Sequence, residues 1–200
     1  MLKNLTEIAI FIDDGNMWSV YKSMGKLIDY SKLEDFFAKK FNGKVTKVFF
    51  YKAYPKNKTR KYSLDPQHKF MTYLNKELSF VVRKKELKTI LLRAKDGSLI
   101  YDQKSGKPAN IEKGNFDVEI TIDMLREISN YNIAILLSGD SDFLPIIKLL
   151  KNIYHKKVYI FSTASSVSSE LRTGADGYFD LAKFPEIHGS KLRFRKTQMK

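Results

Sequence analysis

The chain has 200 residues, with 36 Lys or Arg against 22 Asp or Glu, and a formal net charge of +14. It has no Cys, which excludes disulfide frameworks and thiolate metal sites and is compatible with the reducing cytoplasm, where we expect the protein. An apolar content of 43% excludes a disordered chain, and 200 residues are enough for one well-buried core.

The first half of the chain alternates between strand-like and helix-like segments. Aromatic and β-branched runs predict strands, and apolar residues at helical spacing predict helices. The predicted order is a strand at 7–13, a helix at 31–41, a strand at 47–54, a helix at 65–78, strands at 79–87 and 88–94, and a turn at 95–98.

The second half follows the same alternation after a predicted loop at 103–115. The predicted order is a helix at 116–128, a strand at 133–138, a helix at 142–152, a strand at 156–162, a short helix at 166–176 and an edge strand at 177–184. Continuous apolar strands separated by helices predict an α/β fold with a mostly parallel sheet that is covered on both faces.

Acidic residues follow two of the buried strands. Asp13 and Asp14 come at the end of the first strand, and Asp140 and Asp142 follow the strand at 133–138. Because sites in parallel sheets lie beyond the carboxyl ends of the strands, these acids are expected to face one crevice.

The segment from Glu112 to Asp142 reverses the overall charge of the chain, since it has seven acids and only two bases. Carboxylates that share a crevice repel one another unless a cation or a proton lies between them. Oxygen ligands without Cys suit Mg²⁺ or Mn²⁺, so the sequence predicts a divalent metal site within a protein whose basic surface attracts polyanions.

Three segments carry a resemblance to a known family: FIDDGN (11–16), KGNFDVEITIDML (113–125) and LLSGDSDFLPII (136–147). Together they resemble the signature segments of NYN domains, in the LabA-like branch of the PIN-like nuclease group. The resemblance implies a PIN-like three-layer α/β/α sandwich and a metal-dependent ribonuclease that leaves a 5′-phosphate by means of metal-activated water.

The resemblance also implies roles for individual residues. The expected catalytic residues and metal ligands are Asp13, Asp117, Asp140 and Asp142, and the expected supporting residues are Asn16, Asp123, Asp14 and Ser138. Plainer roles stay open for several of them: Asn16 can cap a helix beginning near Met17, Asp142 can cap one beginning at Phe143, and Ser138 can be an ordinary buried serine.

Basic residues interleaved with aromatic ones predict an RNA-binding surface, with an ordinary solvated face as the alternative. The candidate RNA contacts are Lys52, Lys56, Lys58, Arg60, Lys61, Arg83, Lys84, Lys85 and Lys113. Residues 1–184 are expected to form the NYN/PIN-like nuclease domain. Residues 185–200 are expected to form a basic C-terminal tail, and its last ten residues, 191–200, are expected to be either a flexible arm or an added strand or helix.

The sequence thus predicts a divalent-metal-dependent endoribonuclease that acts on single-stranded or structured RNA. The alternatives are a non-catalytic RNA-binding or regulatory NYN protein and, more remotely, a phospho-receiver-like signalling domain. No apolar run is long enough to span a membrane, and no membrane partner is expected. The oligomeric state stays open between a monomer and a homo-oligomer.

Overall fold

The computed structural model describes residues 5–56, 64–103 and 105–192. Within these residues no helix is long and apolar enough to cross a membrane. The strands are β1 (Thr6–Asp13), β2 (Lys26–Ile28), β3 (Gly43–Tyr54), β4 (Val81–Glu86), β5 (Lys88–Leu91), β6 (Asn110–Lys113), β7 (Ile133–Leu137), β8 (Lys157–Ser162), β9 (Gly177–Asp180) and β10 (His188–Lys191). The α-helices are α1 (Asp14–Met24), α2 (Leu33–Phe41), α3 (Asp65–Lys76), α4 (Asp117–Arg126), α5 (Leu144–Asn152) and α6 (Ser169–Gly174).

The central sheet of the described chain has six strands in the order β4-β3-β1-β7-β8-β9, and every neighbouring pair is parallel. The chain builds outward from β1 to β4 on one side and then returns to build from β7 to β9 on the other. The carboxyl ends of β1 and β7 therefore flank the point at which the strand order reverses, where ligands of open parallel sheets bind.

Two hydrophobic clusters cover the two faces of this sheet. Alternate residues of β1 enter different clusters, with Ile10 and Ile12 on one face and Ala9 and Phe11 on the other. Residues of α1, α2 and α3 join the first cluster, and residues of α4, α5 and α6 join the second. The predicted three-layer α/β fold is confirmed.

A short antiparallel ribbon lies in a segment that the sequence analysis predicted to be a loop. Strand β6 falls within residues 103–115 and pairs with β5, so that Ile90 is opposite Ile111 and Lys88 is opposite Lys113. The prediction of a loop there was wrong because β6 has only four residues, which are largely polar, and its partner strand ends at Leu91, well before β6 begins at Asn110.

The described part of the expected tail is folded onto the domain. Pro185–Ile187 forms a 3₁₀ turn, and β10 pairs with β2. Ile187 is fully buried, and its carbonyl accepts a hydrogen bond of 2.9 Å from the Asp29 N–H. This buried side chain anchors the first part of the expected tail to the domain. Residues 193–200 lie outside the described part of the chain.

Candidate metal centre

Three carboxylates meet at the carboxyl edge of the sheet, beside the reversal of strand order. Asp117 begins α4, and Asp140 and Asp142 lie in the turn that follows β7. Each offers a carboxylate oxygen within 4.8 Å of the oxygens of the other two. Asp117 and Asp140 are half-buried, whereas Asp142 is exposed. Asp117 lies more than twenty positions before the other two in the chain, and the family resemblance placed all three in one site.

The turn after β7 has a local structure that fixes two of these acids. The Asp140 carboxylate accepts a hydrogen bond of 3.1 Å from the Asp142 N–H and so caps the 3₁₀ turn Ser141–Phe143. Helix α5 begins only at Leu144 and has no side-chain cap. The alternative that Asp142 caps this helix was therefore wrong, and its carboxylate stays available to the cluster.

Gly139 is required where this turn touches the next loop. A Cβ atom built on Gly139 would lie 1.9 Å from the Ser166 carbonyl oxygen and 2.8 Å from the Val167 Cα atom. No side chain fits against backbone at that distance. The Ser168 N–H donates to the Gly139 carbonyl at 2.9 Å, which holds the loop after β8 against this turn.

Electrostatic repulsion within the cluster affects the pKa of the Asp117 carboxyl. Burial raises the pKa of its carboxyl first, and the negative charges of Asp140 and Asp142 raise it further. The Asn115 amide, which donates to the Asp117 carboxylate, and the Lys85 ammonium act in the opposite direction. A divalent cation would relieve this repulsion, so the donor set fits Mg²⁺ or Mn²⁺. Sequence reasoning missed Asn115, for which only its position two residues before Asp117 was a signal.

Asp13 lies beside this cluster but not in it. Its carboxylate caps α1, accepting from the Asn16 N–H at 3.4 Å, and it accepts from the Ser138 hydroxyl at 3.0 Å. The side chain is buried, and this burial raises the pKa of the carboxyl to about 6; the charge of Asp117 contributes a smaller part. Among the described acids, the group whose oxygens all lie within 4.8 Å does not include Asp13.

Asn16 and Ser138 tie the ends of β1 and β7 together. The Asn16 side-chain oxygen accepts a hydrogen bond of 2.9 Å from the Gly139 N–H. The Ser138 hydroxyl, which donates to Asp13, accepts from the Asp140 N–H at 3.3 Å. Because α1 begins at Asp14, Asn16 lies inside its first turn, and the alternative that it caps this helix was wrong.

Two of the predicted supporting acids are engaged elsewhere in the fold. Asp123 is buried and accepts two hydrogen bonds of 3.1 Å from the Arg83 guanidinium and one of 3.0 Å from the Tyr51 hydroxyl. Asp14 forms an ion pair with Lys52. The structure thus gives Asp123 and Asp14 partners on β3 and β4 and does not bring them into the carboxylate group.

Three of the predicted RNA contacts form ion pairs within the protein. Lys52 and Arg83 have the partners just described, and Lys85 contacts the Glu119 carboxylate at 2.6 Å. Lys84 and Lys113 are exposed, as is Lys56. Lys58, Arg60 and Lys61 lie outside the described residues.

Fold and site together define a class: a parallel α/β protein with a carboxylate cluster at the point where its strand order reverses. Comparison with known proteins places it more closely. A profile of the NYN domain matches residues 7–182. The chain therefore belongs to the NYN domain family, whose members are in general PIN-like nucleases.

Two similar proteins agree with this placement. The chain is 29% identical over 178 residues to the low amplitude and bright protein LabA of Synechococcus elongatus, which covers 88% of this chain and 84% of that protein. A crystal structure of a protein of unknown function from Vibrio parahaemolyticus superimposes with a TM-score of 0.63 at 21% identity, covering 90% of this chain and 96% of that one. The second likeness concerns the fold alone.

Proposed function

We propose that the protein is a divalent-metal-dependent endoribonuclease that uses Mg²⁺ or Mn²⁺. The observation that carries the proposal is the convergence of Asp117, Asp140 and Asp142 at the reversal of strand order. An acidic centre within a chain of net charge +14 suits a substrate whose backbone is anionic, because the basic surface attracts the substrate and a cation offsets the acids.

Asp117, Asp140 and Asp142 are the residues that would hold the metal. When bound, a divalent cation lowers the pKa of water and neutralises charge on a phosphodiester. The protein itself supplies preorganisation: the Asn115 amide orients the Asp117 carboxylate, and the Asp140 carboxylate is oriented by the Asp142 N–H.

Asp13 is assigned a positioning role in this proposal, although the family pattern made it an expected ligand. Its carboxylate holds the Ser138 hydroxyl, which in turn accepts from the Asp140 N–H. Asn16 fixes the same turn through the Gly139 N–H. These hydrogen bonds fix the turn after β7 relative to β1. The carboxylates of the cluster are therefore already in position before a metal ion binds.

The substrate in this proposal is RNA, single-stranded or structured, and the place of action is the cytoplasm. The experiment that tests the activity incubates the protein with total RNA in Mg²⁺, Mn²⁺ or chelator and maps the cleaved ends. Cleavage that needs the metal and leaves 5′-phosphate ends is the expected result. Full cleavage in chelator, or no cleavage under any condition, contradicts the proposal.

One observation favours a non-catalytic RNA-binding protein of the same family as a second candidate. Asp13 is committed to hydrogen bonds within the fold, which leaves three acids in the cluster where four were expected. Under this alternative the protein binds RNA and shows no metal-dependent cleavage in the same experiment.

A further inference from the structure

The ribbon of β5 and β6 places two lysines directly opposite each other. Lys88 is the register partner of Lys113, and Ile90 is the partner of Ile111. Since side chains alternate along a strand, these four residues share one face of the ribbon. Like charges directly opposite each other destabilise an antiparallel pair. An anion bound between Lys88 and Lys113 would offset their repulsion and so stabilise the ribbon.

That face forms a wall of a groove of about 680 Å³. Lys88, Ile90 and Lys113 line the groove, and Asn115 lines it at the start of α4. The Asn115 amide also donates to the Asp117 carboxylate. The groove therefore leads from the two lysines to the carboxylate cluster.

The charges along the groove leave the two lysines available. Across from the ribbon, the Lys85 ammonium and the Glu119 carboxylate neutralise each other at 2.6 Å. Neither Lys88 nor Lys113 forms an ion pair with any residue that the structure describes. Glu86 and Glu112 also line the groove, but Glu86 alternates with Lys85 along β4 and Glu112 alternates with Lys113 along β6, so each belongs to the other face of its strand.

We propose that Lys88 and Lys113 form a subsite for a backbone phosphate of single-stranded RNA that lies next to the carboxylate cluster. Ile90 and Ile111, with 44% and 41% of their surfaces exposed, supply apolar contact for the adjoining nucleotide. This inference rests on the proposed function, because it assumes RNA as the substrate. It assigns the ribbon to substrate binding.

The experiment measures binding of a fluorescent single-stranded RNA in chelator, where cleavage does not occur, over a range of salt concentrations. The test variant is Lys88→Ala/Lys113→Ala. The matched control is Lys95→Ala/Lys107→Ala, which removes the same charge from exposed positions elsewhere in the segment between β5 and β6. Melting temperatures establish that both variants fold, and the test variant is expected to melt no lower than the wild type because its like-charge pair is gone.

The test variant is expected to bind RNA at least tenfold more weakly. Its slope of log affinity against log salt should be smaller by roughly 0.7 for each phosphate that the lysines no longer neutralise, while the control changes affinity less than twofold. Equal weakening in test and control, or unchanged binding by the test variant, overturns the subsite. Failure of the wild type to bind RNA at any salt concentration instead contradicts the proposed function.

The alternative occupant of the ribbon face is a second copy of the chain, and a further variant tests for it. If Ile90→Ser abolishes a concentration-dependent increase in molecular mass and leaves RNA affinity unchanged, the ribbon face is an interface between copies of the chain. That result overturns the RNA subsite.

Discussion

The carboxyl of Asp13 shows how a single residue balances two opposing effects. Moving a carboxylate out of water is costly, and at 8% exposure this one is almost wholly removed from it. Hydrogen bonds from the Ser138 hydroxyl and the Asn16 N–H favour the charged form, but they only partly offset the cost of burial. The pKa therefore rises from 3.8 to about 6.

This raised pKa predicts a pH-dependent stability in the metal-free protein. The folded state binds the Asp13 proton more tightly than the unfolded state, so stability falls as pH rises from about 4 to about 6 and is level above that range. We expect the free energy of unfolding of the wild type to fall by about 3 kcal/mol relative to Asp13→Asn across this range. Urea denaturation of both proteins between about pH 4 and pH 7 measures the difference. Parallel curves would contradict the assignment.

The ion-pair contacts of the lysine and arginine residues could not be predicted from the residues themselves. Lys52, Arg83 and Lys85 were expected to contact RNA, yet their acidic partners lie 38, 40 and 34 positions away along the chain. The pairing of β3 with β1 brings Lys52 to Asp14, and the position of α4 beside β4 brings Arg83 and Lys85 to their acids. Asp140 and Asp142 were predictable because they follow the buried strand β7 at the carboxyl edge of the sheet, whereas Asp117 was expected only from the family resemblance.

At the scale of elements, the turn after β7 is the most constrained connection in the site. Gly139→Ala places a methyl group against the Ser166 carbonyl, and we expect it to cost about 1–3 kcal/mol of stability, as overpacking does elsewhere. Gly189→Ala is the control, since its Cβ would meet its nearest neighbours at an ordinary 3.4 Å. Thermal denaturation compares the two. Equal stability would show that the loop after β8 moves aside freely.

The elements also differ in how far the sequence predicts them. Buried strands such as β1 and β7 carry continuous apolar runs and were predicted. Strands β2, β6 and β10 have three or four residues each, and none is a continuous apolar run. Their formation depends on a partner strand far along the chain, which no local pattern indicates.

At the scale of the whole molecule, a strongly basic chain concentrates negative charge at one crevice. A cation that binds only the folded state stabilises it by mass action, by about 2.7 kcal/mol at a hundred times its Kd. We therefore expect Mg²⁺ or Mn²⁺ to raise the melting temperature of the wild type, and Asp142→Asn to reduce the shift. Differential scanning fluorimetry at matched ionic strength measures it. An equal shift in both proteins would place the cation elsewhere.

The central claim is that the carboxylate cluster performs metal-dependent cleavage of RNA. The most direct test compares cleavage of a single-stranded RNA in Mn²⁺ or Mg²⁺ by the wild type, Asp140→Asn and the control Asp35→Asn, an exposed position on α2. The amide introduced by Asp140→Asn keeps an oxygen that can accept from the Asp142 N–H, so the turn is preserved. We expect Asp140→Asn to reduce the cleavage rate at least a hundredfold while RNA binding persists, and Asp35→Asn to match the wild type. Undiminished cleavage by Asp140→Asn would contradict the account.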